Sequence, residues 1–331
     1  MNLTTEALAG HDDVDPDIRR FVVALNHGYG QFSDFAALPL PDRRAAAEVV
    51  REPWRAGGPA MAATREAEIA GCRVRFHYPF ERTAPQPALL YIHGGGWAMF
   101  SIDTHDRLMR EYAARAGVVV VGVDYSLSPE ARHPVALDEV VATFRALYAD
   151  AAAYGLAPDL IGIGGDSAGA NLAIAASLRL RSLDASSPAA MLLNYGAFDP
   201  TPTPSYARYD GPAYMLTVEE MDGFWRDYVS RPAMLDDPLV APLRAELSGL
   251  PPAFLAIAEC DILADANRAM AERLRAAGVA VEARVYPGAT HSFLEAVSVS
   301  ALAEAAFDDA ARWLATTLRL GEGQGERQGQ A

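Results

Sequence analysis

The feature that most limits what this chain can fold into is an alternation of two kinds of segment. Apolar runs such as "PALLYIHG", "GVVVVGVDY", "LIGIGG", "PAAMLLNYGAFD", "PAFLAIAE" and "VEARVYPG" are separated by helical stretches such as "DRLMREYAARAG", "PVALDEVVATFRALYADAAAYG" and "ADANRAMAERLRAAG". The runs have the length and turn-residue borders of strands. Strands alternating with helices predict an α/β fold with a doubly wound, mostly parallel sheet covered on both faces. In such a sheet ligands bind beyond the carboxyl ends of the strands, so reactive side chains are sought just after a strand.

The rhythm is different at two places. The N-terminal region carries short helical patterns, and Ile18, Phe21, Val22 and Leu25 recur at helical spacing, giving an apolar face that needs something to cover. "AEIAGCRVRFHYPF" then reads as two strands joined around Gly71. Residues 200–240 interrupt the alternation with a stretch rich in proline and aromatics, with one helical patch near "VEEMDGFWRDYV". After it the alternation resumes and ends in a long helix to about Leu320. The tail "GEGQGERQGQA", residues 321–331, is polar and glycine-rich, the composition of a disordered segment.

With 331 residues the chain can bury a large core, and 51% hydrophobic and 21% charged residues are ordinary for a globular enzyme. A formal net charge of −15 argues against nucleic acid or an anionic membrane as partner. Cys72 and Cys260 have no metal-ligand spacing and are read as buried or half-buried thiols of a reducing compartment. The N-terminus lacks a basic region leading into an apolar stretch, and no apolar run reaches the roughly 18 residues of a membrane span. A cytoplasmic protein is the expectation; a homodimer is left open.

The segment "LIGIGGDSAGA" places Ser167 between Gly165 and Gly169, directly after a strand and before a helix. A sharp strand-to-helix turn needs small flanking residues and exposes the serine Oγ. The same pentapeptide could be a mere small-residue turn, so a base and an oxyanion site must be found elsewhere. Of seven histidines, His291 alone lies after residue 133, and it sits at the exit of "VEARVYPGAT". In a hydrolase whose nucleophile follows a middle strand, the chain order is serine, acid, histidine. The acid is sought in "ECDILAD". Asp261 lies in the turn beyond the strand and is chosen; Asp265 is read as capping or beginning the next helix, and Glu259 as ending the strand. The three glycines of "YIHGGGW" follow an early strand and can bring backbone N–H groups to an oxyanion, Ala168 adding the donor after the nucleophile. A phosphate-binding reading of that loop fails for want of the lysine and Ser/Thr of a P-loop.

Together these motifs resemble the hormone-sensitive-lipase-like branch of the α/β-hydrolases, over about residues 88–315. "HGGGW" is similar to its oxyanion signature, "GDSAGA" to GDSAGG, "VDYSLSPEARHP" to its DYRLAPE segment, "CDILAD" to DPLxD and "DDPLVAPL" to DPxxSPL. The resemblance implies an α/β-hydrolase fold with a helical cap and a triad of Ser167, Asp261 and His291. It implies Gly95, Gly96 and Ala168 as oxyanion donors, with His93 organising the loop. It implies a cap built from residues 1–55 and 200–235, the catalytic domain being 56–199 and 236–320. Trp97, Tyr214 and Phe224 are the expected pocket residues, although most cap aromatics are expected to pack against one another. The sequence departs from the family pattern at Ala170, Ile262, Ser292 and Ser126.

The reaction expected is cofactor-free and metal-free hydrolysis of a small hydrophobic ester with a short-to-medium acyl or aryl group. An amidase or arylformamidase would use the same residues, and Gly96 speaks against the formamidase relatives. A non-catalytic ligand receptor on this scaffold should lack the histidine that is present as His291.

Overall fold

The structure, a computed structural model, describes residues 12–81 and 84–319; the tail expected to be disordered lies outside the described residues. The N-terminal pattern becomes two helices. In α1 (Pro16–Tyr29) the Asp15 side chain accepts from the Asp17 and Ile18 N–H groups, and the expected face of Ile18, Phe21, Val22 and Leu25 is buried. Helix α2 (Leu40–Arg55) buries Ala46, Ala47, Val50 and Arg51.

Strands β1 (Ala63–Ile69) and β2 (Cys72–Tyr78) form a hairpin. Its two turn residues, Ala70 at φ 53° and Gly71 at φ 85°, are both left-handed, as a two-residue hairpin turn matched to strand twist requires. The alternation follows: β3 (Gln86–Ile92), α3 (Asp106–Ala116), β4 (Val119–Asp124), α4 (Val135–Ala149), β5 (Leu156–Asp166), α5 (Ala168–Ser182) and β6 (Met191–Asn194). The interrupting stretch contains α6 (Pro204–Arg208) and α7 (Val218–Tyr228). The Thr217 and Glu220 side chains each accept the other's backbone N–H at the start of α7. Then come β7 (Ala253–Cys260), α8 (Ala264–Ala276), β8 (Val281–Thr290) and α9 (Ala301–Thr317).

The eight strands form one sheet in the order β1-β2-β4-β3-β5-β6-β7-β8. Only β2 runs against its neighbours; from β4 through β8 all pairings are parallel. Every residue of β3 and β6 is buried, so both sheet faces are covered, α3 packing with α9 and α4 with α5. The last helical stretch is not continuous. Ser292 is left-handed at φ 58° and a short 3₁₀ segment, Phe293–Ser298, follows; α9 starts only after Ser300, whose Oγ accepts from the Ala303 N–H. Cys72 and Cys260 are buried and unpaired, and burial pushes their thiols up to about 11 and 12. Among the described residues no helix is long and apolar enough to cross a membrane.

Candidate active site

Ser167, Asp261 and His291 each stand one residue beyond the carboxyl end of a strand, β5, β7 and β8 in turn. The sheet order brings these ends together. Ser167 has φ 53° and ψ −116°, a strained conformation costing on the order of 1–3 kcal/mol that the surroundings must hold in place. Its N–H donates to the Asn194 carbonyl (2.9 Å) and its carbonyl accepts from the Ala197 N–H (3.2 Å). The flanking glycines permit the turn: a Cβ on Gly165 or Gly169 would collide with the Ile92 carbonyl oxygen of β3.

The His291 Nε2 lies 3.0 Å from Ser167 Oγ, and its Nδ1 lies 2.7 Å from Asp261 Oδ2. The other oxygen of Asp261 accepts the Leu263 N–H at 2.9 Å, which fixes the carboxylate beneath the ring. Asp261 is 1% exposed, while Ser167 and His291 are 6% exposed. Burial pushes the imidazole pKa down, but the Asp261 carboxylate outweighs it, aided by Asp166 and Glu295, and the pKa rises above the ordinary 6.5. Tyr195 sets its ring edge-on to His291 at 5.2 Å. The alternative acid, Asp265, faces elsewhere. Within the first turn of α8, it accepts the Ser205 N–H at 2.9 Å and donates its own N–H to Ser205 Oγ at 3.2 Å, tying α6 to α8. Glu259, within β7, accepts the Gly288 N–H.

The glycine loop after β3 lies beside the serine turn. The Gly94 N–H donates to Asp166 Oδ1 at 3.2 Å, and the Tyr91 hydroxyl donates to the same oxygen at 2.8 Å. His93 bonds through Nδ1 to the Gly94 carbonyl at 2.8 Å and stacks on Tyr125, whose hydroxyl donates to the His93 carbonyl. Burial, then the neighbouring His105, pushes His93 down to about 3, so it stays neutral. The backbone N–H groups of Gly95 and Gly96 have no protein acceptor among the described residues. Ala168 is the first residue of α5, so its N–H has no intrahelical acceptor either.

The aromatic residues divide. Phe224 of α7 lies directly against Gly96, where any Cβ would collide with its ring. Trp97 is fully buried, stacked on Tyr228 at 4.2 Å and tilted against Trp225 at 4.6 Å, which pins α7 onto the loop. Tyr214 donates to the Asp13 carboxylate and meets Tyr209 edge-on at 5.3 Å. At two of the departures from the family pattern the local geometry accommodates the change. Ser126 donates from its N–H and hydroxyl to Glu139, and Ser292 takes the left-handed conformation that glycine otherwise supplies.

Sequence reasoning missed the buried side chains behind the site. His105 approaches Asp166 at 3.3 Å, and Arg51 of α2 pairs with Glu295 at 3.0 Å while its guanidinium lies over the Phe100 ring. The only sequence cues were a lone arginine on an otherwise apolar helix face and an aspartate inside the nucleophile motif.

A sheet of this order with a serine, an acid and a histidine at the carboxyl ends of β5, β7 and β8 defines an α/β hydrolase. A family model described as "alpha/beta hydrolase fold" matches residues 89–295. The chain is 34% identical to an acetyl esterase of Salmonella typhi over 273 residues, 80% of this chain and 84% of that protein. A carboxylesterase from a metagenomic library, described as thermophilic and thermostable, superposes with a TM-score of 0.83 at 32% identity, covering 86% of this chain and 99% of that one. An ester hydrolase from the metagenome of Lake Arreo, solved with a bipyridine phosphonate derivative, gives 0.86 at 31%, covering 92% and 98%. The chain belongs to the hormone-sensitive-lipase-like esterases of the α/β-hydrolase family, and it is a carboxylesterase-type hydrolase acting on small-molecule esters.

Proposed function

We propose that the protein hydrolyses carboxylic esters with short-to-medium acyl or aryl groups through an acyl-enzyme on Ser167. The observation that carries the reading is the line Ser167–His291–Asp261, with contacts of 3.0 and 2.7 Å. Asp261 accepts the Nδ1 proton of His291, leaving Nε2 bare to take the Ser167 proton as Oγ attacks the ester carbonyl. The negative charge that develops on the carbonyl oxygen is met by the Gly95, Gly96 and Ala168 N–H groups, which donate to no other acceptor among the described residues and need no reorganisation. The imidazolium then gives its proton to the leaving alkoxide. In the second half His291 deprotonates a water that releases the acid and regenerates Ser167.

Residues 12–55 and 200–235 act as a cap. Asn26 Nδ2 of α1 donates to the Pro212 carbonyl at 3.3 Å, and Phe224 packs with Tyr29, Phe35 and Leu40 against Ala98 and Met99, so the two segments meet over the glycine loop. A lid of this kind excludes water and limits the size of the acyl group. The acetyl esterase relatives agree with a short acyl group.

A fluorophosphonate and a panel of p-nitrophenyl esters test the reading. A single adduct on the peptide bearing Ser167, and loss of turnover by roughly 10⁶ in Ser167→Ala with the fold intact, are expected. An adduct elsewhere, or an active alanine variant, overturns it.

A further inference from the structure

His105 takes no part in the reaction above, yet its hydrogen bonds permit a count of protons. Thr104 Oγ1 gives its single proton to the Ser101 carbonyl at 2.8 Å and accepts the Ser101 N–H at 3.1 Å. Its remaining lone pair meets His105 Nδ1 at 2.9 Å, so Nδ1 must carry a hydrogen. On the other side of the ring Nε2 stands 3.3 Å from Asp166 Oδ2. An ionised carboxylate has no proton to give, so Nε2 must carry one as well. Placing that proton on Asp166 instead would set a neutral acid beside two further donors, the Tyr91 hydroxyl and the Gly94 N–H, both aimed at Oδ1. Donors converging on a carboxyl group favour its anion.

We propose that His105 is a buried imidazolium and a positioning residue: its charge keeps Asp166 ionised, and ionised Asp166 anchors Gly94 at the start of the donor loop. The second half rests on the oxyanion role proposed for that loop. His105 and Asp166 are 3% and 4% exposed, where a lone charge would be costly and a bonded pair is tolerated. Burial alone pushes the imidazole pKa down. Asp166 of β5, with Glu295 of the 293–298 segment behind it, raises it above 6.5, while Arg51 of α2 opposes. Arg107 lines the same crevice, and the neutral His93 ring lies 5.5 Å away. Asp166 lies directly before Ser167, so one carboxylate ties the serine turn to the glycine loop.

The test begins with the wild-type protein. A ¹H–¹⁵N spectrum of the histidine rings, with His105 assigned by the signals missing in His105→Gln, should show both of its ring nitrogens bearing hydrogens at neutral pH. A bare Nε2 there overturns the proposal. The His105→Gln variant should lose about tenfold to a hundredfold in kcat, less than the roughly 10²–10³ of a lost oxyanion donor, with KM changed by less than about threefold. The acid limb of its kcat profile should move to higher pH as Asp166 becomes easier to protonate. A lower melting temperature with kcat and its pH profile intact would make His105 merely structural and overturn the positioning role. If His105→Gln does not fold, Thr104→Val removes the Nδ1 acceptor and should lower the His105 pKa in the same spectrum; an unchanged pKa overturns the proton count. Fluorophosphonate labelling separates the two readings: an adduct away from Ser167 sinks the mechanism, whereas an adduct on Ser167 with a neutral His105 sinks only this one.

Discussion

At the scale of single residues, the proposed chemistry is divided between groups that react and groups that hold them. In the proposed mechanism His291 must be neutral to act as a base, and Asp261 raises its pKa above 6.5 against the effect of burial. The sign follows: kcat/KM should fall as pH drops through a value above 6.5, because the protonated ring cannot accept the Ser167 proton. In Asp261→Asn the main raising influence is gone and burial dominates, so the limb should shift to lower pH while kcat drops by roughly 10⁴. Asp265→Asn should leave kcat nearly unchanged and cost about 1 kcal/mol of stability, since that carboxylate holds the Ser205 N–H and pairs with Arg268, away from His291. Activity assays and thermal melts on both variants check this, and exchanged phenotypes would make Asp265 the acid. That Ser167, Asp261 and His291 each stand just beyond a strand was legible in the sequence, because the strands could be counted. The Asp166–His105 contact was not, because its partners are 61 residues apart and nothing local pairs them. The Arg51–Glu295 pair spans 244 residues and was equally hidden.

At the scale of elements, the parts the sequence predicted well are those with their own periodicity. Strands β3 to β8 and helices α3, α4, α5 and α8 were legible from apolar runs and turn residues. The closing helix was not divided correctly, because the break depends on the backbone of Ser292 and the cap of Ser300, two serines with no periodic signature. Contacts between elements were also out of reach, and α7 shows why they matter. Its Phe224 ring fills the space that a side chain on Gly96 would need, and Gly96 itself holds φ 59°. Gly96→Ala should therefore displace the loop and lower kcat by about 10² or more, the effect of a misplaced oxyanion donor. Phe224→Ala should do something different: it opens room above the loop, so activity on longer acyl esters should rise relative to acetyl esters, as a series of p-nitrophenyl esters would reveal. Combining the two should recover part of the loss from Gly96→Ala, the residual deficit reflecting the left-handed backbone that alanine resists. A double variant no better than Gly96→Ala would show that the ring is not what excludes a side chain there.

At the scale of the whole molecule, the N-terminal helices are joined to the sheet at the points where the site is built. The Asp15 N–H donates to the Gly288 carbonyl near the end of β8 (2.9 Å), and Arg44 donates to the carbonyls of Ala98 and Ser128, both at 2.8 Å. Arg51, 4% exposed, reaches from α2 to Glu295, four residues beyond the histidine. A chain beginning at Gly57 would retain β1, every residue of the Ser167–His291–Asp261 line and the glycine loop. It would lose the cover over that loop and leave Glu295 without its buried partner, a loss of roughly 3–5 kcal/mol for a broken buried pair. The apolar surface that Ile18, Phe21, Val22 and Leu25 now cover would also be exposed. The shortened protein should therefore aggregate readily, melt earlier and discriminate less between ester chain lengths. Its soluble fraction should still form the fluorophosphonate adduct on Ser167, since no reacting group has been removed. Retention of full-length stability together with the same acyl-chain profile would show that α1 and α2 are not part of a cap, and that residues 200–235 close the site alone.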